Sequence, residues 1–171
     1  IQFTPESNDV DCQQLLANFA IDQCGCKPVW TMQVFLEETI SMIRARVGQG
    51  DALLVLTGGV DSSVCAALMH RAIGDRLHCL MVDTGLLRSG EVDSVCQLLR
   101  PYIGQLAPID IAQRIYARLS GVTQAAIKRQ VIDEEWAGAV HEAAQALGKV
   151  DFHVRATIYP DVIDPNSGLA Q

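Results

Sequence analysis

The chain contains no apolar run approaching the roughly 18–20 residues that a bilayer-spanning helix needs. Its first residues, Ile1-Gln2-Phe3-Thr4-Pro5-Glu6, do not have the pattern of a signal peptide. No membrane partner is expected. Basic charge is also scarce: 13 Lys and Arg are outnumbered by 20 Asp and Glu, giving a formal net charge of −7 at pH 7. Sequence-independent nucleic-acid binding relies on Lys and Arg neutralising phosphates, so nucleic acid is not an expected partner. A phosphorylated small ligand stays open, because backbone N–H groups hold phosphate without net basic charge. A zinc site is not spelled out either. Cys24-Gly25-Cys26 is the only local cluster among Cys12, Cys24, Cys26, Cys65, Cys79 and Cys96, and no second Cys or His pair lies at suitable spacing. Cys65, Cys79 and Cys96 lie in helix- or strand-like segments beside apolar neighbours, which suits reduced core thiols in a cytoplasmic protein. There is no starting Met, and the sequence stops at Gln171 soon after a strand-like segment, so an excerpt from a longer polypeptide is expected.

What is present is a chain of 171 residues, 49% hydrophobic and 19% charged, enough for one compact domain with a core. Residues 1–26 read as a lead-in: Ile1–Phe3 could end a strand, and Cys12–Ile21 carries Leu15, Leu16 and Phe19 at helical spacing. Gly25, Lys27 and Pro28 break that pattern and mark a domain junction. Thr31 is the expected N-cap of a helix carrying Met32, Phe35, Leu36, Ile40, Ile43 and Val47. Ala52–Leu56 and Leu77–Val82 are short, wholly apolar runs, as in strands buried on both faces. Ala107–Ile109 and Phe152–Ile158 are further strands. Helices are expected over Ser62–Ile73, from Glu91 to about Ile103, and at about Ile111–Leu119 and Gln124–Leu147. Strands alternating with helices predict an α/β fold: a doubly wound parallel sheet with helices on both faces. In such sheets ligands bind beyond the C-terminal strand ends, where the winding reverses. That rule selects Thr57–Ser63, Asp83–Gly90 and the segment near Thr157.

The strongest signal is Leu53-Leu54-Val55-Leu56-Thr57-Gly58-Gly59-Val60-Asp61-Ser62-Ser63-Val64. Two glycines follow a buried strand and a helix begins at once. Glycine lets backbone approach a ligand closely, and the new helix offers free N–H groups and a positive dipole end. Thr57, Ser62 and Ser63 add hydroxyls. Asp61 would repel a bare phosphate, so it implies magnesium or a structural cap. The plainer reading is a tight turn with Asp61 or Ser62 as N-cap. The string is neither a Walker loop nor a GxGxxG fingerprint.

This string resembles the pyrophosphate-binding loop of the ATP pyrophosphatase superfamily, Ser-Gly-Gly-x-Asp-Ser. Its surroundings resemble the GMP synthase family in order and spacing. Cys24-Gly25-Cys26-Lys27 with Trp30-Thr31-Met32 is similar to the linker after the glutaminase domain. Val82-Asp83-Thr84-Gly85-Leu86-Leu87-Arg88 with Gly90-Glu91 is similar to the second loop. Gly121-Val122-Thr123 with Lys128-Arg129 and Thr157-Ile158-Tyr159-Pro160-Asp161-Val162-Ile163 match later segments. The resemblance implies an adenine nucleotide alpha hydrolase-like fold at 27–171, preceded at 1–26 by the tail of a class I glutaminase domain. It implies the ATP-binding core of a ligase that adenylates XMP, releases pyrophosphate, and aminates with ammonia or glutamine-derived nitrogen. Thr57, Gly58, Gly59, Val60, Asp61, Ser62, Ser63, Val82 and Asp83 would then bind ATP. Asp61 would take Mg2+, and Asp61 and Ser62 would act on the leaving-group side. Partners would be the protein's own glutaminase and C-terminal dimerisation domains, in a homodimer.

The sequence also departs from that pattern. Thr4 replaces the His of a His-Pro-Glu motif whose acidic position Glu6 keeps, and Thr cannot serve as the general base for a cysteine nucleophile. Thr57 replaces Ser but keeps the hydroxyl. Gln124-Ala125-Ala126 replaces Asp-Pro-Glu. Val154-Arg155-Ala156 replaces Ala-Gln-Gly, so Arg155 adds charge and bulk, and Ala156 is strained if that position needs a positive φ. A second reading stays open: a degenerate relative that senses nucleotide or binds a partner without catalysis. Asp83 is either a ligand-side carboxylate or a turn former, Arg88 reads as a loop charge, and Trp136 and Tyr116 read as helix packing.

Overall fold

The computed structural model describes residues 10–157. Thr4, Glu6, the Ile1–Phe3 strand and the Tyr159–Ile163 segment lie outside the described residues. The chain divides into two compact units, Ile1–Glu37 and Glu38–Gln171.

In the first unit, α1 (Val10–Ala17) runs directly into a π-helical stretch, Asn18–Gln23. The wider turn is sealed by Cys24 N donating to Phe19 O at 3.0 Å and Cys26 N donating to Ala20 O at 3.0 Å. Helix α2 (Met32–Val47) starts where the sequence indicates, with Thr31 Oγ1 accepting from Val34 N at 3.2 Å.

The second unit is built on a four-stranded parallel sheet of order β3-β2-β1-β4, with β1 at Ala52–Leu56, β2 at Leu77–Asp83, β3 at Leu106–Asp110 and β4 at Phe152–Val154. Strand β4 is shorter than the sequence suggests: Arg155–Thr157 are irregular, and residue 158 lies outside the described residues. The connections are α3 (Val60–Ile73), α4 (Glu91–Ile103), α5 (Ala112–Leu119) and α6 (Ala125–Leu147).

Period-two alternation divides the strand side chains between two cores. Ala52, Leu54 and Leu56 of β1 join Leu77, Cys79 and Met81 of β2 beneath α3 and α4, together with Ile40 and Val47 of α2. Val55 and Val82 point the other way and pack with Ile111, Ile115 and Leu119 beside Ile132, Ala139 and Val140 of α6. Helices therefore cover both faces. Burial pushes the Cys79 thiol up to about 12, with the nearby Cys65 adding to the shift, as befits a core residue.

Successive strands wind outward from β1 through β2 to β3, and the chain then returns to pair β4 on the other side of β1. The winding reverses between β1 and β4. That crevice, at the C-terminal strand ends, is where such sheets receive ligands.

Candidate nucleotide site

The loop leaving β1 enters this crevice. Gly58 has φ +79°, a conformation side chains rarely adopt, and a Cβ there would touch Val95 of α4 at 3.4 Å. Gly59, extended at φ −79° and ψ 163°, is the N-cap of α3, so neither Asp61 nor Ser62 fills that role. No side chain caps this helix start, which leaves first-turn N–H groups to a ligand. Two hydroxyls brace the loop. Ser62 is only 4% exposed; its Oγ accepts from Thr57 N at 3.3 Å, lies 3.1 Å from Thr57 Oγ1, and donates to Gly59 O at 3.1 Å. Ser63 Oγ donates to Gly59 O at 2.8 Å. The serines therefore shape the backbone cradle. Thr57 serves in place of Ser because the bond needs only its hydroxyl.

Beside the loop lies a cleft of about 610 Å³ lined by Thr57, Asp61 and Ser62 on one side and by His153–Ala156 on the other. Its floor is Leu53 and Val55, and its wall is Trp136 and Val140 of α6. Trp136 is 36% exposed, so it is a cleft side chain rather than the packing residue its helical context suggests. Ala156 carries no strain: among the described residues no non-glycine has a positive φ.

The second loop is held from α5. Asp83 O accepts from Ile111 N at 2.8 Å, Asp83 Oδ1 from Gly85 N at 2.8 Å, and Gly85 O from the Tyr116 hydroxyl at 2.6 Å. Tyr116 is thus a tether rather than only a packing residue. Asp83 and Arg88 line a separate hollow of about 270 Å³ with Glu91, Asp93 and Asp110. Asp83 thus lines a different hollow from the cleft that Asp61 lines. Val82 is buried, and its side chain packs in the core.

Helix α5 also grips α6 through charge. Arg114 bonds Glu135 and Glu142, each at 2.9 Å, and Arg118 bonds Glu134 at 2.7 Å and Glu135 at 3.0 Å. Hydrogen bonds from Arg118 and then Gln130 hold the Glu134 carboxyl below its usual range, and Arg118 and then Arg114 do the same for Glu135. Glu135 precedes Trp136, so this network anchors the helix that forms the cleft wall.

Comparison with known proteins bears on this site. A GMP synthase of Thermomicrobium roseum is 46% identical over 166 residues, covering 96% of this chain and 32% of that relative. Another, from Ruminiclostridium cellulolyticum, is 44% identical, covering 99% of this chain and 34% of the relative. Over nearly its whole length, the chain is similar in sequence to a segment of GMP synthases. It spans about one third of the length of the relatives it matches. No family model matches. Among solved structures, the NH3-dependent NAD synthetase of Campylobacter jejuni superposes with a TM-score of 0.59 at 15% identity, covering 77% of this chain and 69% of that one. A glutamine-dependent NAD+ synthetase of Acinetobacter baumannii, solved with ADP, gives 0.57 at 16% identity, covering 72% of this chain and 26% of that one. These likenesses show the fold: an adenine nucleotide alpha hydrolase-like sheet.

Proposed function

We propose that this chain is the ATP-binding core of a GMP synthase, an ATP-dependent amidating ligase acting on XMP. The observation that carries the reading is the uncapped start of α3 behind Gly58-Gly59, set at the β1/β4 reversal and opening onto a cleft walled by an indole. The base would stack on Trp136, and the β- and γ-phosphates would lie against the loop. Attack by the 2-oxygen of XMP at the α-phosphorus breaks the bond to pyrophosphate, and ammonia then displaces AMP. Negative charge grows on the departing pyrophosphate, and the preorganised N–H groups of the loop meet it without rearranging. Ser62 and Thr57 hold that cradle in shape.

Magnesium fits this donor set. Asp61 is an exposed carboxylate in the cleft lining with no hydrogen bond or ion pair seen among the described residues. Mg2+ commonly takes one or two carboxylates and completes its shell with phosphate oxygens and water. When bound, it would neutralise charge on the phosphate chain, with Asp61 as its protein ligand.

The same reading takes 27–171 as the ATP pyrophosphatase part and 1–26 as the tail of a glutaminase domain. Glutamine-derived or free ammonia, a C-terminal dimerisation domain and a homodimer belong to the longer protein. A cytoplasmic location accords with the reduced thiols of Cys24, Cys26, Cys65, Cys79 and Cys96, and no described helix is long and apolar enough to cross a membrane. Calorimetry with Mg-ATP tests the site. Gly59→Val is a suitable probe, because a Cβ there meets only Thr57 Oγ1 at 3.4 Å and the φ of −79° suits a residue with a side chain. Gly59→Val and Asp61→Ala are each expected to weaken Mg-ATP by tenfold or more. Wild-type affinity in both variants would remove the assignment.

A further inference from the structure

We infer that Arg155 is a phosphate ligand of the cleft, closing on the nucleotide's phosphate chain from the side opposite the glycine loop. This rests on the nucleotide reading above. The placement follows from strand register. Leu53 pairs with His153 and Leu54 with Val154. Arg155 leaves the end of β4 directly after that register, and Leu53, Val55, His153 and Arg155 line the cleft together with Thr57, Asp61 and Ser62.

Arg155 is the one side chain in that lining with a fixed positive charge. It is exposed, and no hydrogen bond or ion pair involves it among the described residues. Asp61 lines the same cleft, and no ion pair links the two. A polyphosphate carrying its magnesium answers both at once: phosphate oxygens take the guanidinium, and the cation takes the carboxylate. Arginine suits this task because its planar fork gives parallel hydrogen bonds to one phosphate. The need is real in a chain with a formal net charge of −7, whose overall field repels a polyanion. The loop itself contributes no cationic side chain between Thr57 and Ser63. Arg88, the basic side chain of the second loop, lines the separate hollow beside Asp83.

The test is calorimetry on the full chain with two ligands, Mg-ATP and adenosine, using wild type, Arg155→Gln, Arg155→Lys and Gly59→Val. Arg155→Gln is expected to weaken Mg-ATP by tenfold or more and leave adenosine unchanged, with Arg155→Lys between the two. Circular dichroism of the variants is expected to match wild type, since the side chain is exposed. Mg-ATP binding within twofold of wild type in Arg155→Gln, alongside a loss in Gly59→Val, overturns this assignment alone. An equal loss of adenosine also overturns it, because a phosphate ligand has no part in holding the nucleoside. A wild-type chain that binds no Mg-ATP overturns the nucleotide reading together with it.

Discussion

Gly85→Ala is the sharpest test of how the second loop is held. Gly85 sits at φ +72°, and a Cβ there would lie 2.6 Å from Ala112 Cβ and 2.7 Å from Tyr116 Cζ. Three costs follow. The left-handed conformation costs roughly 1–2 kcal/mol for a residue with a side chain. The overlap with Ala112 is not relieved by a rotamer change, because that Cβ is fixed to the backbone of α5, and forced overpacking adds roughly 1–3 kcal/mol. Displacing Tyr116 breaks its 2.6 Å bond to Gly85 O, worth about 1 kcal/mol. The total, roughly 3–6 kcal/mol, is a large part of the roughly 5–15 kcal/mol available to a domain. The assay is urea unfolding followed by circular dichroism, with Tyr116→Phe as the comparator that loses only the hydrogen bond, at about 1 kcal/mol. Combining Gly85→Ala with Tyr116→Ala relieves the ring but not Ala112, so it recovers only part of the loss. If Gly85→Ala costs no more than Tyr116→Phe, the loop is free to move aside and the tether reasoning fails.

Ser62→Ala is expected to cost about 1–2 kcal/mol in the same assay, since Thr57 N loses its acceptor, and to weaken Mg-ATP binding. Replacing Arg114 and Arg118 by Ala should lower the melting temperature at pH 7. Glu134 and Glu135 are held below their usual values, so the pairing contributes above the unfolded-state pKa and is lost as pH falls through the folded one. The difference from wild type should therefore shrink as pH falls below the ordinary carboxylate range, and shrink also at about 1 M salt. Thiol labelling at about pH 8 should find the exposed Cys24 and Cys26 first and Cys79 only after unfolding, because burial keeps that thiol protonated up to about pH 12.

The strands were legible because each is a run of apolar residues between turn formers. Ala52–Leu56 matches to the residue, and Leu77–Val82 needed only Asp83 added. The turn between β1 and α3 was legible because Gly-Gly between a buried strand and a helix breaks both patterns. The cleft wall was not. Trp136, Ala139 and Val140 share one helical stripe, and periodicity shows that they face the sheet. It does not show that the stripe overhangs the strand ends at Trp136 while Ala139 stays in the core. Tyr116 was missed for a related reason, since its bond to Gly85 O crosses 31 residues of sequence. The π-helical turn at Asn18–Gln23 has no counterpart in the apolar spacing, which continues as if helical. The strain anticipated at Ala156 did not arise, since its backbone keeps an ordinary φ.

The order β3-β2-β1-β4 also has a consequence for the timing of synthesis. Strand β1 pairs early with β2, only a helix away in sequence, but its other edge waits for β4. That pairing is sealed where Asp51 N donates to Asp151 Oδ2 at 3.1 Å, across 100 residues of chain. At roughly 5–20 residues per second, the ribosome takes several seconds to deliver the second partner after the first. During that interval β1 presents an open parallel edge, the kind of surface that templates wrong pairing. The wall of the cleft formed by His153–Ala156 is therefore the last to be laid down. The nascent chain can complete its three-stranded sheet and its glycine loop well before it can close around a nucleotide.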